Sequence, residues 1–158
     1  MGHLGIVCDS CQGEADLRYF NIEPEVAGEL GDRSEVRHVD GRLQVDRLHY
    51  EFHGWLGDCL VESTPCFIIT EAAANALLRA AVTGVRFEAL EVSRSREFDE
   101  LQPGCELPEF SWLVVDGRAG RDDFGMDAGL ILTVSEHALE ILKQVGLRHA
   151  SINAFGKE

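Results

Sequence analysis

TEAAANALLRAAVTGVRFEAL (residues 70–90) and SEHALEILKQVGLRHASINAF (residues 135–155) write one pattern twice. An offset of 65 superposes them without a gap and sets Glu71 on Glu136, Ala73 on Ala138, Leu77 on Leu142 and Ala89 on Ala154. Apolar residues fall at 73, 76, 77 and 80, and again at 138, 141, 142 and 145. That i, i+3, i+4, i+7 spacing predicts a helix with one apolar face in each copy. Thr70 and Ser135 stand where an N-cap hydroxyl satisfies a free backbone donor, and each is followed by a glutamate that suits the positive end of a helix.

Working outward, each cap is preceded by a short β-type run, CFII (66–69) and ILTV (131–134). After each helix the apolar residues alternate, as Val85, Phe87 and Ala89 and as Ala150, Ile152 and Ala154, which is strand periodicity. Each copy therefore reads as a strand-helix-strand unit of about 25 residues. Duplication is the preferred explanation; the alternative is that ordinary packing needs produced two similar capped units.

The N-terminal part is different. In EVRHVDGRLQV, Asp40-Gly41 separates two alternating segments, and both positions of a tight hairpin turn need positive φ, which favours this pair. RLHYEFHGWLG puts Leu48, Tyr50 and Phe52 on one face of a strand and His49, Glu51 and His53 on the other. EFSWLVVDG (109–117) is a further strand, and DGRAGRDDFGMDAG (116–129) reads as one long loop of the kind that is functional or mobile. The expected fold is α+β: a mixed, mostly antiparallel sheet with two similar strand-helix-strand units and an N-terminal β-hairpin region. The expected organisation is a single domain over 1–158, β-rich in 1–62, with the two units in 63–158.

The 158 residues suffice for a buried core, and 45% hydrophobic against 27% charged side chains argues against disorder. Twenty-eight acidic against 14 basic side chains give a formal net charge of −14, which repels nucleic-acid phosphates and anionic membranes. A basic protein partner is instead drawn in faster by electrostatic steering. The start, MGHLGIVCDSC, lacks a signal-peptide pattern, and no run of eighteen apolar residues occurs anywhere. A cytoplasmic protein without a membrane segment is expected, with its five cysteines mostly free thiols.

Few residues point to chemistry. Cys8 and Cys11 have C-x2-C spacing, but a structural zinc site needs four ligands and no second such pair follows. Cys59, Cys66 or a histidine are the available completions, and the spacing requires none of them. His49, Glu51 and His53 share a strand face, yet one strand spreads the outer two too far for a comfortable metal triad, so a solvated polar face is the expectation. The long loop offers Asp116, Asp122, Asp123 and Asp127, without the ligand spacing of a calcium loop. These aspartates, with Phe124 as an exposed aromatic anchor, form a candidate partner-binding surface; the alternative places Phe124 back in the core. Hydrolase elbows, zinc-protease helices and phosphate-binding glycine loops are absent, so no catalytic residue, metal or cofactor is assigned and a non-enzyme is expected.

The run PCFIITEAAANALLRAAVTGVRFEALEV, with its echo LTVSEHALEILKQVGLRHASI, is similar to the pattern of uncharacterised bacterial proteins near immunity protein family 43 of polymorphic toxin systems. In that group a short strand, a Ser-Glu helix start and a tail of the form tGv.F.p.ev recur. The similarity spans residues 65–92 and 130–155; the CDSCQG segment and the hairpin lie outside it. It implies a small non-catalytic α+β protein that binds and neutralises a toxin, many of which are basic, and it supplies no catalytic residues. Two other classes stay open: a small-molecule- or zinc-binding module with its site between the two units, and a structural or regulatory protein with a different partner.

Overall fold

The computed structural model describes residues 18–127 and 129–155. Cys8 and Cys11 lie outside the described residues. The fold is α+β, with several mainly antiparallel sheets and three helices among the described residues.

Two four-stranded sheets form the centre. One runs in the order β6 (Leu60–Ser63), β7 (Cys66–Thr70), β10 (Phe110–Val115), β8 (Val85–Glu88). The other runs β11 (Phe124–Met126), β12 (Leu132–Ser135), β1 (Tyr19–Glu23), β13 (Ser151–Ala154). Helix α1 (Glu71–Arg79) joins β7 to β8, and α3 (Glu136–Val145) joins β12 to β13. In neither case do the two joined strands pair with each other. β10 lies antiparallel between β7 and β8, and β1 lies antiparallel between β12 and β13. Leu113 of β10 is flanked by Phe67 and Phe87, and Ile22 of β1 by Leu132 and Ile152.

The caps form as the sequence dictates: Thr70 Oγ1 accepts from Ala73 N at 3.3 Å and Ser135 Oγ from Ala138 N at 3.1 Å. The buried faces are Ala73, Ala74 and Leu77 in α1, and Ala138, Leu139 and Leu142 in α3. They are rotated slightly from the expected stripe: Ala74 and Leu139 are buried, whereas Ala80 caps α1 and Val145, the last residue of α3, is 37% exposed. The two helices pack on each other.

β7 is buried at all five positions. Phe67 and Ile69 face the helices, while Cys66 and Ile68 face a second core built on Tyr50, Phe52 and Phe98. A strand covered on both sides reads as a continuous apolar run rather than an alternating one. The second core lies under a three-stranded sheet, β2 (Gly28–Leu30), β5 (His49–Phe52), β9 (Glu91–Arg94), and the short helix α2 (Arg96–Leu101). β2 pairs with β5 antiparallel and β9 with β5 parallel. The hairpin β3 (Glu35–Val39) and β4 (Arg42–Arg47) turns on Asp40 and Gly41 at φ 53° and 79°.

Residues 116–129 are not one loop. β11 pairs with β12 inside that stretch, and Gly117 packs so closely on Gly84 and Phe124 that a Cβ there would lie 2.3 Å from the Phe124 carbonyl oxygen. Two buried or half-buried carboxylates tie the sheets' connections together. Asp58 accepts from Arg148 N at 3.1 Å, His149 N at 2.7 Å and His149 Nδ1 at 2.8 Å. Asp123 accepts from Thr83 N at 2.9 Å and Ser135 Oγ at 2.6 Å. No helix among the described residues is long and apolar enough to cross a membrane.

Leu113 is 1% exposed at the centre of its sheet. Leu113→Ala should lower unfolding stability in urea by about 3 kcal/mol, the transfer term plus the cavity term; a loss under about 1 kcal/mol would mean that β10 does not anchor the core.

Candidate functional site

The carboxylates of the acidic segment singled out in the sequence are engaged in nearby hydrogen bonds and one ion pair. Asp116 pairs with Arg86 at 3.2 Å, Asp122 accepts from Arg118 N at 2.7 Å, and Asp127 accepts from Gly129 N at 2.8 Å and Ile131 N at 3.1 Å. With Asp123 clamping Thr83, these carboxylates shape their own loops. Phe124 is 0% exposed in the main core, so it is not an exposed anchor; the core alternative is the correct one.

The polar face of β5 also differs from expectation. His49 is 4% exposed rather than solvated. Its Nδ1 accepts from Arg33 N at 3.1 Å, so the proton sits on Nε2 and is donated to Ser93 Oγ at 2.7 Å. In that tautomer His49 cannot take the Ser93 proton, and the pair is not a nucleophile with its base. Cys59 and Cys66 are buried and their thiols are pushed up to about 12 by loss of solvent, which leaves them protonated and inert at neutral pH.

A different place carries unanswered chemistry. Among the described residues, two buried side-chain polar atoms lack a hydrogen-bond partner: Glu25 Oε1 and His53 Nδ1. Both residues line one groove of about 490 Å³. Buried polar atoms are nearly always paired, which sets these two apart from the rest of the described residues. The three most exposed large apolar side chains among the described residues line it too: Leu101 at 74%, Val26 at 68% and Leu56 at 63%. Contiguous exposed apolar surface is characteristic of interaction sites.

The sequence builds this groove from three separated segments. β1 ends at Glu23, and the chain then runs beside β6, where Glu62 N donates to Glu25 O at 2.9 Å. That contact holds Glu25 so that its Oε2 takes Leu56 N at 2.9 Å while Oε1 stays free. Ala27 N donates to Tyr50 Oη at 3.2 Å, and Ala27 O receives His53 N at 2.8 Å. Gln102, just beyond α2, grips the Trp55 backbone at both ends, accepting from its N at 2.6 Å and donating to its O at 3.0 Å. Gly28 is required by close approach, since a Cβ would lie 1.9 Å from Glu51 O. The backbone floor is therefore fixed while Val26, Leu56 and Leu101 project from it.

No protein family and no curated protein matches this chain. The groove therefore has to be read from its own chemistry. Further acidic side chains stand beside its His53: Glu29 contacts His53 Nε2 at 3.0 Å, and Glu97 lies 3.5 Å from His53 Nδ1. A larger groove of about 560 Å³ between the β3–β4 hairpin and Trp112 holds neither unpaired atom, which makes it the weaker candidate. Composition had flagged neither Glu25 nor Leu56. An acidic residue after a strand and an isolated leucine are ordinary in sequence, and only the folded chain brings them together.

Burial raises the Glu25 carboxyl above its usual range, opposed by the Leu56 N–H and assisted by the charge of Asp58. A carboxyl raised on folding costs stability at pH values above its folded titration and costs nothing below the usual carboxylate range. Glu25→Gln should therefore stabilise the protein at pH 7, by roughly 1 kcal/mol given its partial exposure. The gain should shrink as pH falls through the raised folded titration and be gone below about 4. Thermal melts across that range check this; destabilisation at pH 7 would show that the charge is well compensated.

Proposed function

We propose that this chain is a non-catalytic, cytoplasmic, single-domain protein of the immunity type, which binds and neutralises a basic bacterial toxin domain. The observation that carries the reading is the groove, with two unpaired buried polar atoms and three exposed apolar side chains on one fixed floor. Such a surface suits a protein element that offers an aliphatic or aromatic side chain to Val26, Leu56 and Leu101 and a lysine or arginine to Glu25. The net charge of −14 supports a cationic partner, because opposite charge speeds encounter. The locked tautomer of His49 and the buried thiols of Cys59 and Cys66 support a role that involves no covalent chemistry.

The framework is proposed to be two similar strand-helix-strand units. Its support is the register: an offset of 65 maps Phe67 onto Leu132 and Phe87 onto Ile152, and each pair flanks the middle residue of an inserted strand, Leu113 or Ile22. The same offset maps the Asp58 bond to Arg148 N onto the Asp123 bond to Thr83 N.

The test is coexpression with any toxin domain that the adjoining gene encodes, followed by binding measurements on the purified pair. The chain should restore growth and bind with an association rate that falls as salt rises. Leu56→Asp should weaken the complex by about tenfold or more, since it buries an unpaired charge in the contact, whereas Asp122→Asn should change it by less than about twofold. Absence of protection, or equal binding by Leu56→Asp, would refute the reading.

A further inference from the structure

A second site lies at the lip of the groove, on the outer face of the three-stranded sheet. Glu29 of β2 and Glu51 of β5 are direct cross-strand partners in the antiparallel pair. Like charges at directly opposed positions repel, so a cation between them would relieve the repulsion. No lysine or arginine does so among the described residues: the ion-paired arginines engage other carboxylates, and Glu51 has no ion-pair partner. His53 follows Glu51 by two residues and shares its face, with Nε2 3.0 Å from Glu29 Oε2. One donor atom from each of Glu29, Glu51 and His53 lies within 4.8 Å of the other two.

We infer that Glu29, Glu51 and His53 bind a divalent transition-metal ion of the zinc class. The donor set, one imidazole and two carboxylates, matches what zinc and its neighbours take. Ligand bonds of about 2.0–2.2 Å require the three atoms to draw in only modestly around a central ion. Two ligands sit on paired strands whose register fixes their separation, so the site does not depend on one strand reaching round an ion from both sides. The orphaned nitrogen is the second, separate pointer. His53 Nδ1 is shut off from water without a hydrogen bond, and Glu97 Oε1 stands 3.5 Å away on α2. Metal-bound imidazoles almost always give their other N–H to a carboxylate or carbonyl, and a small turn of the ring toward an ion at Nε2 would bring Nδ1–H onto Glu97. An ion at Nε2 would account for both ring nitrogens and for both facing carboxylates.

The test uses metal alone and so stands apart from the partner reading. The full chain carrying Cys8→Ser and Cys11→Ser, which removes the N-terminal thiols as competing ligands, is titrated with cobalt(II) and with zinc(II) by calorimetry and visible absorption. One ion per chain should bind, with ligand-field bands and no sulfur-to-cobalt charge transfer, and with a rise in Tm. Glu51→Gln keeps the side-chain shape and should weaken binding at least tenfold while the apo protein still folds; His53→Ala should abolish it. Absence of saturable binding, equal affinity in Glu51→Gln, or a thiolate band in the Cys8→Ser, Cys11→Ser parent would each overturn the site.

Discussion

The burial of Ile22 and Leu113, each in a strand wedged between two others, is the constraint on which the rest of the structure depends. β7 and β8 are joined by α1 yet touch only through β10; β12 and β13 are joined by α3 yet touch only through β1. The backbone groups of the outer strands in each set are satisfied only when the wedge is in place, and an unpaired buried peptide group is costly. The wedge also closes the helix starts, since Glu109 O takes Glu71 N at 2.9 Å and Arg18 O takes Glu136 N at 3.0 Å. One long-range pairing event therefore completes a sheet, a helix terminus and a core layer together.

The same constraint leads to the groove. Because β1 must lie between β12 and β13, the chain leaves it at Glu23 beside the edge of the other large sheet, and Glu25 pairs with β6 at Val61. From there its side chain meets the 53–58 segment, one oxygen satisfied by Leu56 and one free. A protein selected only for stability has little reason to retain a half-buried carboxylate with an idle oxygen beside three exposed aliphatic side chains. Stability given up at a binding surface is a common trade, and it is the physical basis for reading the groove as a docking site.

Local patterns in the sequence identified many of the elements. Caps at Thr70 and Ser135, the Asp40-Gly41 turn and the alternation of Leu48, Tyr50 and Phe52 are local signals, set by backbone geometry within a few residues. Strand partnership was not legible, because β10 and β1 take positions between strands far from them in the chain, and nothing local encodes that. β11 was hidden for a related reason: Phe124–Met126 has only three residues, set among glycines and aspartates that otherwise signal a loop. The site was less legible still. Asp122, Asp123 and Asp127 looked available because charge in sequence carries no information on which oxygens are already occupied by nearby N–H groups. His49 looked solvated because its face alternates correctly, whereas Gly31 lies against its ring and Arg33 N donates to it, which withdraws it from water. Glu25, His53, Leu56 and Leu101 come from three segments and converge only after folding.

The central claim, that this groove and not the 116–127 segment meets a basic protein partner, is tested most directly by titrating the isotope-labelled chain with the toxin domain proposed as its partner and following backbone and methyl resonances. The expected result is that shifts concentrate on Glu25, Val26, Trp55, Leu56 and Leu101 while Asp122, Asp123 and Asp127 stay nearly unmoved. Shifts confined to residues 116–127, with the groove silent, would contradict it.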